Sequence, residues 1–129
     1  MTDGEERGMS RPVVAIVDDD PRVLASLEEL LESAGYATMS FTSAEALLAH
    51  GLQGVESLIT DIGMPGADGF ELRDRVWQTH PELPVFLITG RHEITDQSRP
   101  RGKGGFLRKP FDGHALLAAL RDALGKRQV

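Results

Sequence analysis

Four short strand-like runs in this 129-residue chain each hand over to side chains that can do chemistry. Residues 13–17 run into Asp18 and Asp19, and residues 57–60 run into Asp61. Residues 84–88 end at Thr89, and Phe106 and Leu107 are followed, after Arg108, by Lys109. If these runs lie side by side, three carboxylates, one hydroxyl and one ammonium share an edge. Three carboxylates in one crevice repel one another, and some are pushed toward protonation unless a cation shields them. A hard divalent ion such as Mg2+, with Mn2+ as a substitute, takes oxygen ligands and keeps several waters. It uses one or two carboxylates together with a phosphate oxygen. Mg2+ and Lys109 would bring the three aspartates to neutrality. A carboxylate can also attack phosphorus to give an aspartyl phosphate. The ion and Lys109 would neutralise the transferring group, which is most of what phosphoryl transfer asks of a protein. Thr89 would donate to one phosphoryl oxygen, and backbone N–H groups after Asp61 to another.

The elements that must position these groups are written in the surrounding pattern. The run at 13–17 is continuously apolar, as in a strand covered on both faces. Asp20 followed by Pro21 reads as an N-cap with proline at the first helical position. Val23, Leu24, Leu27, Leu30, Leu31 and Ala34 make a helical stripe that Gly35 stops. Residues 36–41 alternate like a short strand. Thr42 with Glu45 three residues on reads as a capping box opening a helix over 43–50. A third strand covers 57–60, a loop 62–67, and a third helix 68–80 with Phe70, Leu72, Val76 and Trp77 apolar. A fourth strand covers 84–89, and Phe106 with Leu107 makes a short fifth. Asp112 caps a last helix carrying Leu116, Leu117, Leu120 and Leu124.

Strands alternating with helices predict βαβ units and a parallel sheet. The expected architecture is α/β, a doubly wound five-stranded parallel sheet of flavodoxin-like order 2-1-3-4-5. Such sheets bind ligands beyond the carboxyl ends of the strands, where the order reverses, and that point lies between Asp18–Asp19 and Asp61. Asp20 is accounted for by capping.

Composition narrows the classes. One domain fits the length, and 40% apolar residues with 14 Gly and 7 Pro describe a globular chain. The absence of cysteine excludes a disulfide framework, a thiolate metal site and a cysteine nucleophile, and suits a reducing cytoplasm. A formal charge of −6 argues against nucleic acid as the direct partner. No run approaches the length of a membrane span, and the polar start lacks a signal peptide's apolar stretch. Residues 1–11 read as a flexible tail, 12–125 as the domain, and 126–129 as a C-terminal tail or the start of a linker. The four histidines show no metal-ligand spacing, and the glycines match neither a P-loop nor a dinucleotide fingerprint.

Four segments carry a resemblance: Val17-Asp18-Asp19-Asp20, then residues 61–69 reading DIGMPGADG, then Thr89-Gly90, then residues 106–111 reading FLRKPF. In this order and spacing the chain resembles the receiver domain of two-component response regulators. It is closest to receivers of nitrogen-fixation-type regulators. The resemblance implies that Asp61 is the phosphoacceptor. It implies that Asp19 is a direct Mg2+ ligand, that Asp18 holds metal-bound water, and that the Gly63 carbonyl is a further ligand. Thr89 becomes the switch hydroxyl, Lys109 the phosphate-pairing lysine, and Phe106 an aromatic that changes rotamer on activation. A cis Lys109–Pro110 bond is implied as well. The donor would be a phosphohistidine on a sensor histidine kinase or a histidine phosphotransfer protein, and the target an output domain or partner protein. Self-phosphorylation and autodephosphorylation are expected, not turnover of an external substrate.

The chain departs from the pattern between Thr89 and Lys109. From Gly90 to Gly105 the one clearly apolar side chain is Ile94, while Pro100, Gly102, Gly104 and Gly105 break helices. The helix between strands four and five is therefore expected to be degenerate or mobile. Gly63 offers no side chain to shield a phosphoryl group, and Arg91, two residues after Thr89 and next to Gly90, could reach it. Two rivals follow. A receiver-like interaction module would never be phosphorylated. A small Mg2+-dependent aspartyl-phosphate phosphatase would need a second carboxylate where Gly63 stands, and a cap domain.

Overall fold

A computed structural model describes residues 11–64, 66, 68–89, 104–108 and 112–127. Five strands and four helices are described: β1 (Val13–Val17), α1 (Pro21–Ser33), β2 (Ala37–Phe41), α2 (Ala44–His50) and β3 (Val55–Asp61). These are followed by α3 (Gly69–Thr79), β4 (Val85–Thr89), β5 (Gly104–Arg108) and α4 (Gly113–Arg127). All neighbouring strands pair in parallel, in the order β2-β1-β3-β4-β5. This is the expected doubly wound sheet. The segment between β4 and β5, with its expectation of a degenerate helix, lies outside the described residues.

Each face of the sheet has its own core. On one face Leu24, Leu27 and Leu31 of α1 and Leu116, Leu120 and Leu124 of α4 cover Val14, Ile16, Ile59, Phe86 and Ile88. On the other, Ala44 and Leu47 of α2 and Leu72 and Val76 of α3 cover Ala15, Val17, Leu58, Val85 and Leu87. Alternate residues of the central strands therefore point to opposite helical layers, which is why β1 and β4 read as near-continuous apolar runs.

The helix ends show how local chemistry fixes the layers. The Asp20 carboxylate accepts from the Arg22 N–H at 2.9 Å and caps α1 as expected. At the other end the Tyr36 N–H donates to the Leu31 carbonyl and the Gly35 N–H to that of Glu32. These two bonds, with Gly35 at φ +99°, make a Schellman stop. Tyr36 thus closes α1, and β2 begins one residue later than the alternation suggests.

Other boundaries differ from the sequence expectation as well. The cap of α2 is Ser43, whose hydroxyl accepts from the Ala46 N–H at 3.0 Å. Ser43 is the extended residue directly before the helix, so Glu45 falls one position short of the N3 site that a capping box with Thr42 would need. Strand β3 starts at Val55, and the pairing shifts between Val13 and Val14, which leaves Glu56 as the extra residue. That irregularity hides the strand's start from an apolar count. Gly104 and Gly105 extend β5, pairing with Val85 and Phe86. A glycine in an edge strand carries no side chain for a pattern to register.

Candidate functional site

The register fixes where the carboxylates meet. Val17 pairs with Thr60, so Asp18 and Asp61 each lie one residue beyond that rung on adjacent strands. Asp61 in turn pairs with Ile88 of β4, and Thr89 follows. The site therefore sits at the carboxyl ends of β1, β3 and β4, with the order reversal between β1 and β3.

Carboxylate oxygens of Asp18, Asp19 and Asp61 all lie within 4.8 Å of one another. Asp18 is 2% exposed and Asp61 7%, while Asp19 faces solvent. At an effective dielectric of about 20, the buried like-charged pair Asp18–Asp61 at that separation repels by about 3 kcal/mol, and solvent screens the pairs with Asp19 to less. The donor set is all hard oxygen, two groups walled in and one at the mouth where water can complete a shell. That suits Mg2+ or Mn2+.

The backbone holds the groups in place. The Asp20 N–H donates to Asp18 Oδ1 at 2.9 Å, and the Asp18 N–H donates to the Phe41 carbonyl at 3.1 Å. Asp20 itself is committed to α1 and stands apart from the cluster. After Asp61 the chain turns sharply. The Ile62 N–H donates to the Ile88 carbonyl, and the Met64 and Gly69 N–H groups both donate to the Ile62 carbonyl. Gly63 is exposed in this turn. Thr89 is buried, 1% exposed, at the end of β4. Lys109, Gly90 and Arg91 lie outside the described residues.

Three contacts around the site escaped the sequence reading. Gly69 opens α3 hard against the phosphoacceptor candidate: a Cβ there would stand 2.5 Å from the Asp61 carbonyl oxygen and 2.9 Å from Ile62 Cα. Glu45 of α2 lays its carboxylate over Gly66, 3.0 Å from where a Cβ would be. Phe106, half-buried on β5, meets Phe70 of α3 edge to face, with ring centres 5.9 Å apart. A glycine directly after the helix-capping Asp68 was the one local signal of close approach. The other two contacts join elements distant in the chain and leave no local trace.

Comparison with known proteins agrees with this geometry. A family model described as the response regulator receiver domain matches residues 14–121. The chain is 37% identical over 116 residues to the transcriptional regulatory protein FixJ of Azorhizobium caulinodans, covering 88% of this chain and 55% of that protein. It spans only about half the length of that relative. The CheY-like receiver domain protein of Methanospirillum hungatei superposes with a TM-score of 0.81 at 23% identity, covering 92% of this chain and 98% of that one. The DrrB receiver domain, described as BeF3 activated, gives 0.78 at 25% identity, covering 89% and 98%. With its acidic cluster at the switch point and most of its length inside the family match, this chain belongs to the response regulator receiver family, the receiving module of two-component signalling.

Proposed function

We propose that this chain is a cytoplasmic phosphoryl-accepting switch whose acceptor is Asp61. The observation that carries it is the convergence of Asp18, Asp19 and Asp61 within 4.8 Å, with Asp61 nearly buried at the end of β3. A carboxylate oxygen of Asp61 attacks the phosphorus of a phosphohistidine on a sensor histidine kinase or histidine phosphotransfer protein. An O–P bond forms and the P–N bond breaks, its electron pair returning to the imidazole nitrogen, which takes a proton. Asp18, Asp19, Asp61 and the Gly63 carbonyl would hold Mg2+, with Mn2+ able to replace it. The bound ion supplies charge neutralisation at the transferring group.

The chain's own residues do the rest. Burial of Asp61 limits water around the nucleophile. Thr89 donates its hydroxyl to a phosphoryl oxygen, and Lys109 pairs with another. Movement of Thr89 is followed by Phe106, which changes the surface offered to an output domain or partner protein. Hydrolysis of the aspartyl phosphate resets the switch, so the chain turns over no external substrate. FixJ is a transcriptional regulator by name, and a regulatory target of that kind is the output proposed here.

Incubation with Mg2+ and acetyl phosphate or phosphoramidate tests this directly. The expected product is an acid-stable, base-labile adduct, absent in Asp61→Asn and abolished by chelation. No adduct with any donor refutes the proposal and leaves the unphosphorylated interaction module.

A further inference from the structure

A continuous series of ring contacts joins Phe106 to the far end of α3. Phe106 meets Phe70 edge to face. One turn along the helix, the Arg73 guanidinium carbon lies 5.4 Å from the Phe70 ring centre and 5.2 Å from that of Trp77. The spacing of three and four residues places the cation against both rings. Trp77 Nε1 donates to the Leu83 carbonyl at 2.8 Å, which fastens the far ring to the turn before β4. Arg73 Nε and Nη2 both donate to Asp74 Oδ1, at 3.2 and 3.1 Å. Its Nη1 is buried with no hydrogen-bond partner, and the side chain is only 12% exposed. Three of its contacts are therefore local to α3, and the rings set its place as much as hydrogen bonds do.

We infer that Phe70 is the positioning residue for Phe106, and that Arg73 and Trp77 carry the state of that contact along α3. This rests on the proposed phosphorylation of Asp61. Aromatic pairs are directional, because the ring edge of one meets the electron-rich face of the other. When the Phe106 ring turns away, Phe70 loses its partner and moves toward the vacated space. The Arg73 guanidinium then loses one of its two rings, and its distance to the Trp77 indole changes. State is thus displayed on the α3 side of the sheet as well as at β5.

Trp77 is the only tryptophan of the chain, so the emission has a single source. The experiment uses the full chain with Mg2+ and beryllium fluoride, repeated with acetyl phosphate. Emission is recorded beside an independent measure of Asp61 occupancy by intact-mass or radiolabel analysis. Trp77 emission should change on occupancy in the wild type and stay constant in Asp61→Asn. Phe70→Leu and, separately, Arg73→Gln should lose the emission change while Asp61 is still occupied to the wild-type extent. Leucine keeps Phe70 apolar and glutamine keeps a polar chain at Arg73, so either variant alone can decide. Occupancy without an emission change in the wild type overturns the coupling, as does an undiminished change in either variant. Absence of occupancy in the wild type overturns the phosphorylation proposal together with it, and the occupancy measurement tells the two failures apart.

Discussion

Replacing Gly69 by alanine adds one methyl group where the start of α3 abuts the acceptor strand. The new Cβ would lie 2.5 Å from the Asp61 carbonyl oxygen, 2.9 Å from Ile62 Cα and 3.1 Å from the Asp61 carbonyl carbon. Ordinary contact begins at 3.4 Å, so something must move by about 1 Å, a shift outside the close packing of protein interiors. All three opposing atoms are backbone, and no flexible side-chain end can swing aside. Overpacking of this kind costs about 1–3 kcal/mol, while alanine in place of glycine returns about 0.5–1 kcal/mol of helix preference. The net expectation is a loss of about 1–2 kcal/mol, a several-fold to thirty-fold fall in the folding equilibrium.

The displacement falls on Asp61 itself. A misplacement of about 1 Å at a reacting centre costs about 100-fold in rate, so the initial rate of Asp61 phosphorylation should fall more than stability does. Urea denaturation followed by Trp77 fluorescence gives the first quantity, and acetyl phosphate kinetics the second. Gly105→Ala is the control, because nothing lies within 4 Å of its added Cβ. It should be neutral or slightly stabilising in the edge strand. Wild-type stability and wild-type phosphorylation in Gly69→Ala would refute the close-approach reasoning.

Gly66→Ala should cost about 1–2 kcal/mol, since Gly66 has φ +79° and an L side chain is strained there. Glu45→Ala in the same chain should recover only the part due to the 3.0 Å contact with Glu45 Oε2, which a double-mutant cycle in urea measures. Mg2+ at roughly 100 times its dissociation constant should stabilise the wild type by about 2.7 kcal/mol. Asp61→Asn, with one like charge removed, should melt higher than the wild type without the ion and gain less from it, as thermal scans with MgCl2 and with EDTA will show. Burial pushes the Tyr36 phenol above the usual tyrosine value, opposed in part by the Arg121 guanidinium. A folded-state value above the unfolded one gives stability that is complete below about pH 10 and is lost as pH rises through the folded value. Wild type should therefore lose urea resistance above about pH 10 faster than Tyr36→Phe does.

The sheet was legible because its strands are covered on both faces, so Val13–Val17 and Val85–Thr89 stand out as apolar runs. The meeting of Asp18, Asp19 and Asp61 was legible for a related reason. Each follows a strand, and the order of a doubly wound sheet sets those strands side by side. What stayed hidden depends on contacts between elements. Phe70 reads as one more apolar position on a helix, and only the crossover from β3 to β4 brings it against Phe106 of β5. Glu45 reads as half of a capping box, because the competing hydroxyls of Thr42 and Ser43 are adjacent and either can precede a helix. Its true neighbour, Gly66, lies between β3 and α3, distant in the chain. Gly104 and Gly105 read as helix breakers, which they are, and they serve as strand residues because pairing with β4 needs only backbone.

Stability and function are arranged against each other in this domain. Leu24, Leu27, Leu31, Leu116, Leu120 and Leu124 on one face and Leu47 and Leu72 on the other are essentially out of solvent. Each contributes about 1.5–3 kcal/mol by leaving water. The acidic cluster opposes them, with about 3 kcal/mol of repulsion for the buried pair Asp18–Asp61 and less for the exposed Asp19. Net stabilities of domains are only about 5–15 kcal/mol, so the cluster's self-repulsion is a sizeable share of that total. Any cation that relieves it is linked to folding, and any phosphoryl group added to Asp61 alters the same balance. The responsive parts are then those nearest the charges. Among the described residues these are the 62–64 turn, held by three backbone hydrogen bonds around Ile62, and Thr89 at the last rung of β4. Phe106 sits two residues before the rung partner of Thr89, Arg108, and reaches α3 through one ring contact. A change of charge at Asp61 therefore has a short mechanical route out of the site, through β4 and β5 to the face of α3.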